Sequence, residues 1–290
     1  MPQATYNKLL NVIDDGIDSF LVKLPKVERD TYNRLLVLIK ELELKDGNIQ
    51  NNLKNIKLIS VIKQEMEKMV LSESYLEGVT DLVDVYDAIE ELQNSYFAEL
   101  SDKFKPKPVY AELKKLAIED TVSLLTESGV GSAVSDEINS MITDYITTGG
   151  AYADMHDSIK EALIGVEDKP GALSRYSKQV TTDALNQYNG TVTKAMTDDL
   201  GLEWFMYVGS NIDTTRPFCK AMTDLKYYHK SEVTSILNGN INGKKVSLAG
   251  LYEDTTPENF QRLRGGYQCR HSIFPVSSAV VPDVVKARIG

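Results

Sequence analysis

The chain has 290 residues, 42% hydrophobic and 26% charged, and its 32 basic and 42 acidic residues give a formal charge of -10. No stretch reaches the ~18 to 20 uncharged apolar residues of a membrane span, and Lys8, Asp14, Asp15 and Asp18 interrupt any signal-peptide core near the start. The balance predicts a globular protein and argues against non-specific wrapping of nucleic acid, which needs clustered Lys and Arg.

Residues 1–105 read as a helical region. Leu9, Leu10, Ile13, Ile17, Phe20 and Leu21 recur at helical spacing, as do Tyr32, Leu35, Leu36, Ile39 and Leu42 after Pro25. A third run extends from Ile49 to Val70 and a fourth from Val79 to Leu100. Lys105-Pro106-Lys107-Pro108 then breaks the pattern, because proline disfavours helix at the residue before it, and marks a boundary. A middle helical region spans 109–172. It holds a helix from Tyr110 to about Thr126, one starting at Ser135-Asp136, and a short one carrying Met155, Ile159 and Leu163. The turn Asp168-Lys169-Pro170-Gly171 closes it.

The last region, 173–290, opens with a long helix over Leu173 to Leu200. At Gly201 the character changes. Trp204 to Val208 is aromatic and β-branched and predicts a buried strand. A short helix is expected from about Thr214 to Met222, with Pro217 in its first turn. Asn238 to Gly243 reads as a loop or tight hairpin, Lys245 to Leu248 as a second strand, and Cys269 to Val276 as the last. The fold class is mainly α: a helical N-terminal two-thirds with a small C-terminal α+β module.

The residues with chemical potential concentrate in two pieces, Asp213-Thr214-Thr215-Arg216-Pro217-Phe218-Cys219 and Gly265-Gly266-Tyr267-Gln268-Cys269-Arg270-His271. In an extended Cys269–Ile273 segment, Cys269 and His271 would face the same side. With Cys219, and His229 as a further candidate, they offer sulfur and nitrogen donors of the kind zinc takes. The absence of a paired Cys-x-x-Cys leaves the ligand set incomplete, so no stoichiometric cofactor is expected. A disulfide between the two cysteines and a pair of buried thiols are the other readings. His156 reads as a surface residue, and Trp204 as core. The basic residues Arg262, Arg264, Arg270, Lys286 and Arg288 read as a solvated tail that balances acidic neighbours.

The order of a long polar helix, a Trp-bearing strand, the Asp213–Cys219 piece, a variable loop and the Gly265–His271 piece resembles the phage Mu F-like head morphogenesis family. The likeness covers Tyr176 to Val276. Thr181, Asp183, Asn186 and Asn189 match the polar stripe of the family's helix, and Asp213, Thr215 and Arg216 match its turn. Cys269 and Arg270 match its closing strand. Relatives often carry a second Cys beside each of the two; here those places hold Ala221 or Met222, and His271. The resemblance implies Asp213, Thr215, Arg216, Cys219, Gly266, Cys269, Arg270 and His271 as a structural motif with no catalytic residue. It also implies a minor head protein of a tailed bacteriophage, present in several copies per virion and assembled in the host cytoplasm. The expected partners are portal or capsid proteins, with contact to packaged DNA and none to membrane. The competing expectation is a zinc- or thiol-dependent enzyme using Cys219, Cys269 and His271.

Overall fold

The computed structural model describes residues 2–126 and 129–289. Eight helices fill most of the chain up to residue 200: α1 (Pro2–Leu21), α2 (Leu24–Ile39), α3 (Leu53–Glu67), α4 (Glu73–Leu100), α5 (Pro108–Thr126), α6 (Val130–Thr148), α7 (Tyr152–Ile164) and α8 (Ala172–Leu200). Two-residue hairpins, β1–β2 (Leu44–Lys45 with Asn48–Ile49) and β3–β4 (Gly165–Val166 with Lys169–Pro170), close two of the connections. The remainder holds β5 (Trp204–Val208), α9 (Pro217–Leu225), β6 (Tyr227–His229), α10 (Val233–Leu237), the hairpin β7–β8 (Asn240–Ile241 with Lys244–Lys245), α11 (Phe260–Leu263), β9 (Ser272–Val276) and α12 (Asp283–Lys286). The protein is mainly α with a small C-terminal α+β module.

The helices follow their sequence signals. Leu9, Ile13, Ile17 and Phe20 form the buried stripe of α1, and Asn52 caps α3 by accepting the Asn55 amide. Gly149, left-handed at φ 69°, ends α6. The start of α6 differs from the expected Ser135: the helix begins at Val130. Val130, Val134 and Ile138 are all buried, and packing there outweighs the two flanking glycines.

The chain separates into two compact units. Their bounds differ from the consecutive regions expected at 1–105, 109–172 and 173–290. One unit comprises 14–85 and 118–181; the other comprises 1–13, 86–117 and 182–290. The proline break at 105–108 therefore lies within one unit. It is pinned there, because Phe104 stacks on Tyr110 and Lys107 pairs with Asp199 at 2.6 Å.

In the 14–85/118–181 unit, α3 packs on α6, α6 on α7, and α2 on α3 and α7. Glu28 of α2 is 2% exposed and accepts the backbone N–H of Ser174, in the first turn of α8, at 2.8 Å. Burial pushes its carboxyl above the usual value near 4.5, although the Ser174 amide pulls the other way. A raised folded-state value means that Glu28 contributes most stability below about pH 4.5, and that this contribution is lost as pH rises through the raised value. Glu28→Gln keeps an acceptor for Ser174 without the charge. Thermal melts across pH 4 to 8 should therefore show the variant gaining on the wild type as pH rises; a constant difference would contradict this.

In the other unit, β5 is the centre of an antiparallel three-stranded sheet ordered β6-β5-β9. The register pairs Trp204 with Val276 and Tyr207 with Ile273. Period-two alternation sends Phe205, Tyr207 and Ile273 to one core, shared with α9, α10 and α11. Trp204, Met206 and Val276 go to a second core with Val281. Strand β6 was not apparent in the sequence; three residues are too few to show a period, and it is fixed by Tyr228 stacking on Phe205. The strand expected at Lys245–Leu248 is only the second arm of the β7–β8 hairpin. The last strand starts at Ser272, three residues later than expected, because Gln268 takes a left-handed turn at φ 50°.

Candidate functional site

The polar stripe of α8 faces inward. Thr181 and Thr197 turn their hydroxyls back onto the carbonyls of Ser177 and Thr193, which removes the cost of burying them. Asn186 does the same through its amide to Thr182. The Gln93 amide of α4 spans the Asn189 carbonyl, the Asn189 side chain and Thr193 at 2.9, 2.7 and 3.2 Å. The stripe is an internal polar seam.

The two sequence pieces, far apart in the chain, close on one another. Thr215 Oγ1 accepts the Ile212 amide at 2.7 Å and tightens the turn before α9. Arg216 then extends its guanidinium across to the second piece, donating to the carbonyls of Gly265 at 2.9 Å and Tyr267 at 2.6 Å. Pro217 opens α9, which turns Phe218, Cys219, Met222 and Leu225 into the core.

Cys219 therefore meets Cys269 and His271. The two sulfurs and a His271 ring nitrogen lie within 4.8 Å of one another, and all three residues are buried. Both cysteines are free thiols. Cys269 Sγ is 3.8 Å from His271 Nδ1. The Tyr207 hydroxyl donates to Cys219 Sγ at 3.4 Å and sits 3.7 Å from Cys269 Sγ. The thiols are inequivalent. The Cys219 S–H hydrogen bond holds Cys269 well below the usual thiol range, helped by His271 and the Arg264 charge. The same hydrogen bond, with burial, pushes Cys219 up.

Gly265 is required here by close approach. A Cβ at that position would stand 2.4 Å from Cys219 Sγ and 2.7 Å from Cys269 Sγ. Its neighbour Gly266 has φ 88°, and a Cβ there would strike the Gly250 carbonyl at 1.9 Å.

Several expected members take other positions. Asp213 and Arg270 are exposed, with no hydrogen bond or ion pair among the described residues. The buried arginine is Arg264, 2% exposed, which donates to the carbonyls of Asn186 at 2.6 Å, Arg262 at 3.0 Å and Cys269 at 3.4 Å. Asp183, from the α8 stripe, accepts the Gln268 amide at 2.9 Å and holds the turn that precedes Cys269. His229 stays on β6, where it caps the next turn through Ser231 and faces Glu203 at 3.5 Å. His156 is half-buried, 3.0 Å from the Tyr32 hydroxyl. The basic tail is divided: Arg264 is internal, Arg288 bonds the Tyr227 carbonyl and faces Glu232, and Lys286 pairs with Asp283. No family model, curated protein or solved structure matches this chain.

Sequence reasoning missed Tyr207 and Arg264 as parts of this site, and it named Gly266 but not the adjacent Gly265 among the motif residues. Tyr207 carried only a strand signal. Arg264 was counted as one of several basic residues near the C-terminus. Its place directly before two glycines was the available clue, since such a backbone can double back around a side chain.

Proposed function

We propose that this chain is a structural and assembly protein of a tailed-phage head, a minor capsid component that acts through interfaces with portal or capsid proteins. The observation that carries the reading is the closure of the two motif pieces into one structural unit. Arg216 spends its fork on two backbone carbonyls, and the thiols and His271 are sealed from solvent. That burial gives no support to a thiol-dependent enzyme, because Cys269 at 2% exposure offers no approach to a substrate. A surface cleft lined by Leu225, Glu232, Ser235, Ile236 and Arg288 contains none of the motif residues.

Partner interfaces are supported by apolar side chains left outside. On α3, Leu53, Ile56 and Val61 are 66%, 44% and 46% exposed, and a partner surface would cover such positions. Purified particles of the parent phage should contain the chain, and its gene should lie beside portal and terminase genes. Deleting the gene should leave defective heads. Particles that lack the chain, together with normal infectivity of the deletion, would overturn the reading.

A further inference from the structure

We propose that Cys219, Cys269, His271 and Tyr207 form a closed zinc site that ties the two halves of the motif together. Zinc bonds of about 2.3 Å to sulfur and about 2.0 Å to nitrogen or oxygen place the donors of a tetrahedron about 3.5 to 3.8 Å apart. The spacings here are of that size: 3.8 Å from Cys269 Sγ to His271 Nδ1, and 3.4 and 3.7 Å from the Tyr207 oxygen to the two sulfurs. The sequence pointed to three donors and suggested His229 as the fourth. The fold keeps His229 elsewhere and brings Tyr207 from β5 instead.

The donor chemistry is selective. Two thiolates and an imidazole favour zinc or another thiophilic ion over magnesium or calcium, which take oxygen ligands. With Tyr207 bound as the neutral phenol and His271 as the neutral imidazole, two thiolates balance the charge of the ion, so it can be buried as a neutral unit, and binding displaces the thiol protons alone. His271 is 4% exposed and sets Nδ1 against Cys269 Sγ, so its ring nitrogen and both sulfurs share one buried space. Gly265 brings bare backbone against both sulfurs, which closes that side to solvent and to any substrate. Four protein donors with no open corner describe a structural site, not a catalytic one.

The full chain, expressed with added zinc and purified under reducing conditions without chelator, should carry one zinc by elemental analysis. Cobalt(II) in its place should give strong sulfur-to-metal absorption in the near ultraviolet and the visible bands of a tetrahedral ion. Cys269→Ser and His271→Gln should each abolish tight binding. Tyr207→Phe should keep the sulfur bands, alter the visible ones and weaken affinity about tenfold or more. The wild type supplies a check that needs no variant to fold: a chelator should lower its melting temperature, zinc should restore it, and magnesium should not.

Reduced wild-type chain with two titratable thiols that takes up neither zinc nor cobalt would overturn the site. So would a Cys219–Cys269 disulfide in chain prepared without oxidant. An unchanged cobalt spectrum in Tyr207→Phe would remove Tyr207 from the ligand set. The assay uses the isolated chain, so its failure leaves the head-protein reading standing, and failure of the particle assay leaves the zinc site standing.

Discussion

Arg264→Ala should lower the stability of the unit that contains it by about 3 kcal/mol, roughly 6 to 12 °C in melting temperature for a unit of this size. The side chain is 2% exposed, and its guanidinium satisfies carbonyls from three different places: α8 at Asn186, its own turn at Arg262, and the approach to β9 at Cys269. Truncation strips a donor from each of these buried acceptors and leaves a void where water has no ready entry. It also takes away a positive charge that favours the ionised forms of Asp183 and Cys269. Arg264→Lys should recover less than half of the loss, since one ammonium cannot reproduce a planar fork directed at several carbonyls. Calorimetry on the three proteins decides the matter. An alanine variant within about 0.5 kcal/mol of wild type, the range of ordinary surface changes, would show that the guanidinium is dispensable. Arg270→Ala, at an exposed position, is the matching control and should fall inside that range.

Gly190→Ala sets two opposing effects against each other. In an exposed helix the change would stabilise by about 1 kcal/mol, because alanine is the better helix former. Gly190 lies in α8 where the segment around α11 crosses it, and a Cβ would stand 2.5 Å from the Gln261 carbonyl oxygen and 2.8 Å from the Arg262 Cα. These are backbone atoms and cannot move aside as a side-chain tip can. Overpacking of this kind costs about 1 to 3 kcal/mol, so the net result should be destabilisation despite the propensity gain. The shift would also carry Arg264 away from Asn186, a few residues along the same contact. Chemical denaturation of the variant should show a lower midpoint; a rise would mean that the crossing is looser than the distances state.

The helical body was legible because its signal is local and repeated. Apolar residues at helical spacing, stopped by Gly and Pro, identify α1 to α8 without reference to anything distant. The small module was legible in part for a different reason. Residue types with restricted uses, such as Arg216 before a proline, two glycines in a row and two cysteines in a chain otherwise free of them, drew attention to the right places. What the chain did not disclose was the pairing of those places with ordinary residues. Tyr207 looks like any strand aromatic until the fold sets its hydroxyl between two sulfurs. Asp213 and Arg270 carry the charges that a motif reader notices, yet both point outward. Asp183 and Arg264 hold the inside, because α8 and the turn before β9 meet there. The organisation into units was hidden for a related reason: the proline run looks like a hinge, and it takes the stacking of Phe104 on Tyr110 and the Lys107–Asp199 pair to show that it is fixed in place.

The way the units are assembled from the chain has a consequence for synthesis. One unit is complete once residue 181 has been made, whereas the other needs segments from both ends. Tyr6, made long before β9, packs its ring against Phe274 of that strand, the last among the described residues. Tyr96 likewise waits for the Pro275 carbonyl. The earlier-completed unit can therefore gather its core during translation, while the N-terminal turns and the segment 86–117 remain without their final contacts until the C-terminal strand emerges. Such long-range closure is slow, and it leaves the aromatic faces of Tyr6 and Tyr96 open to chaperones or to neighbouring chains in the interval. A premature stop before β9 would thus expose surfaces at the opposite end of the sequence.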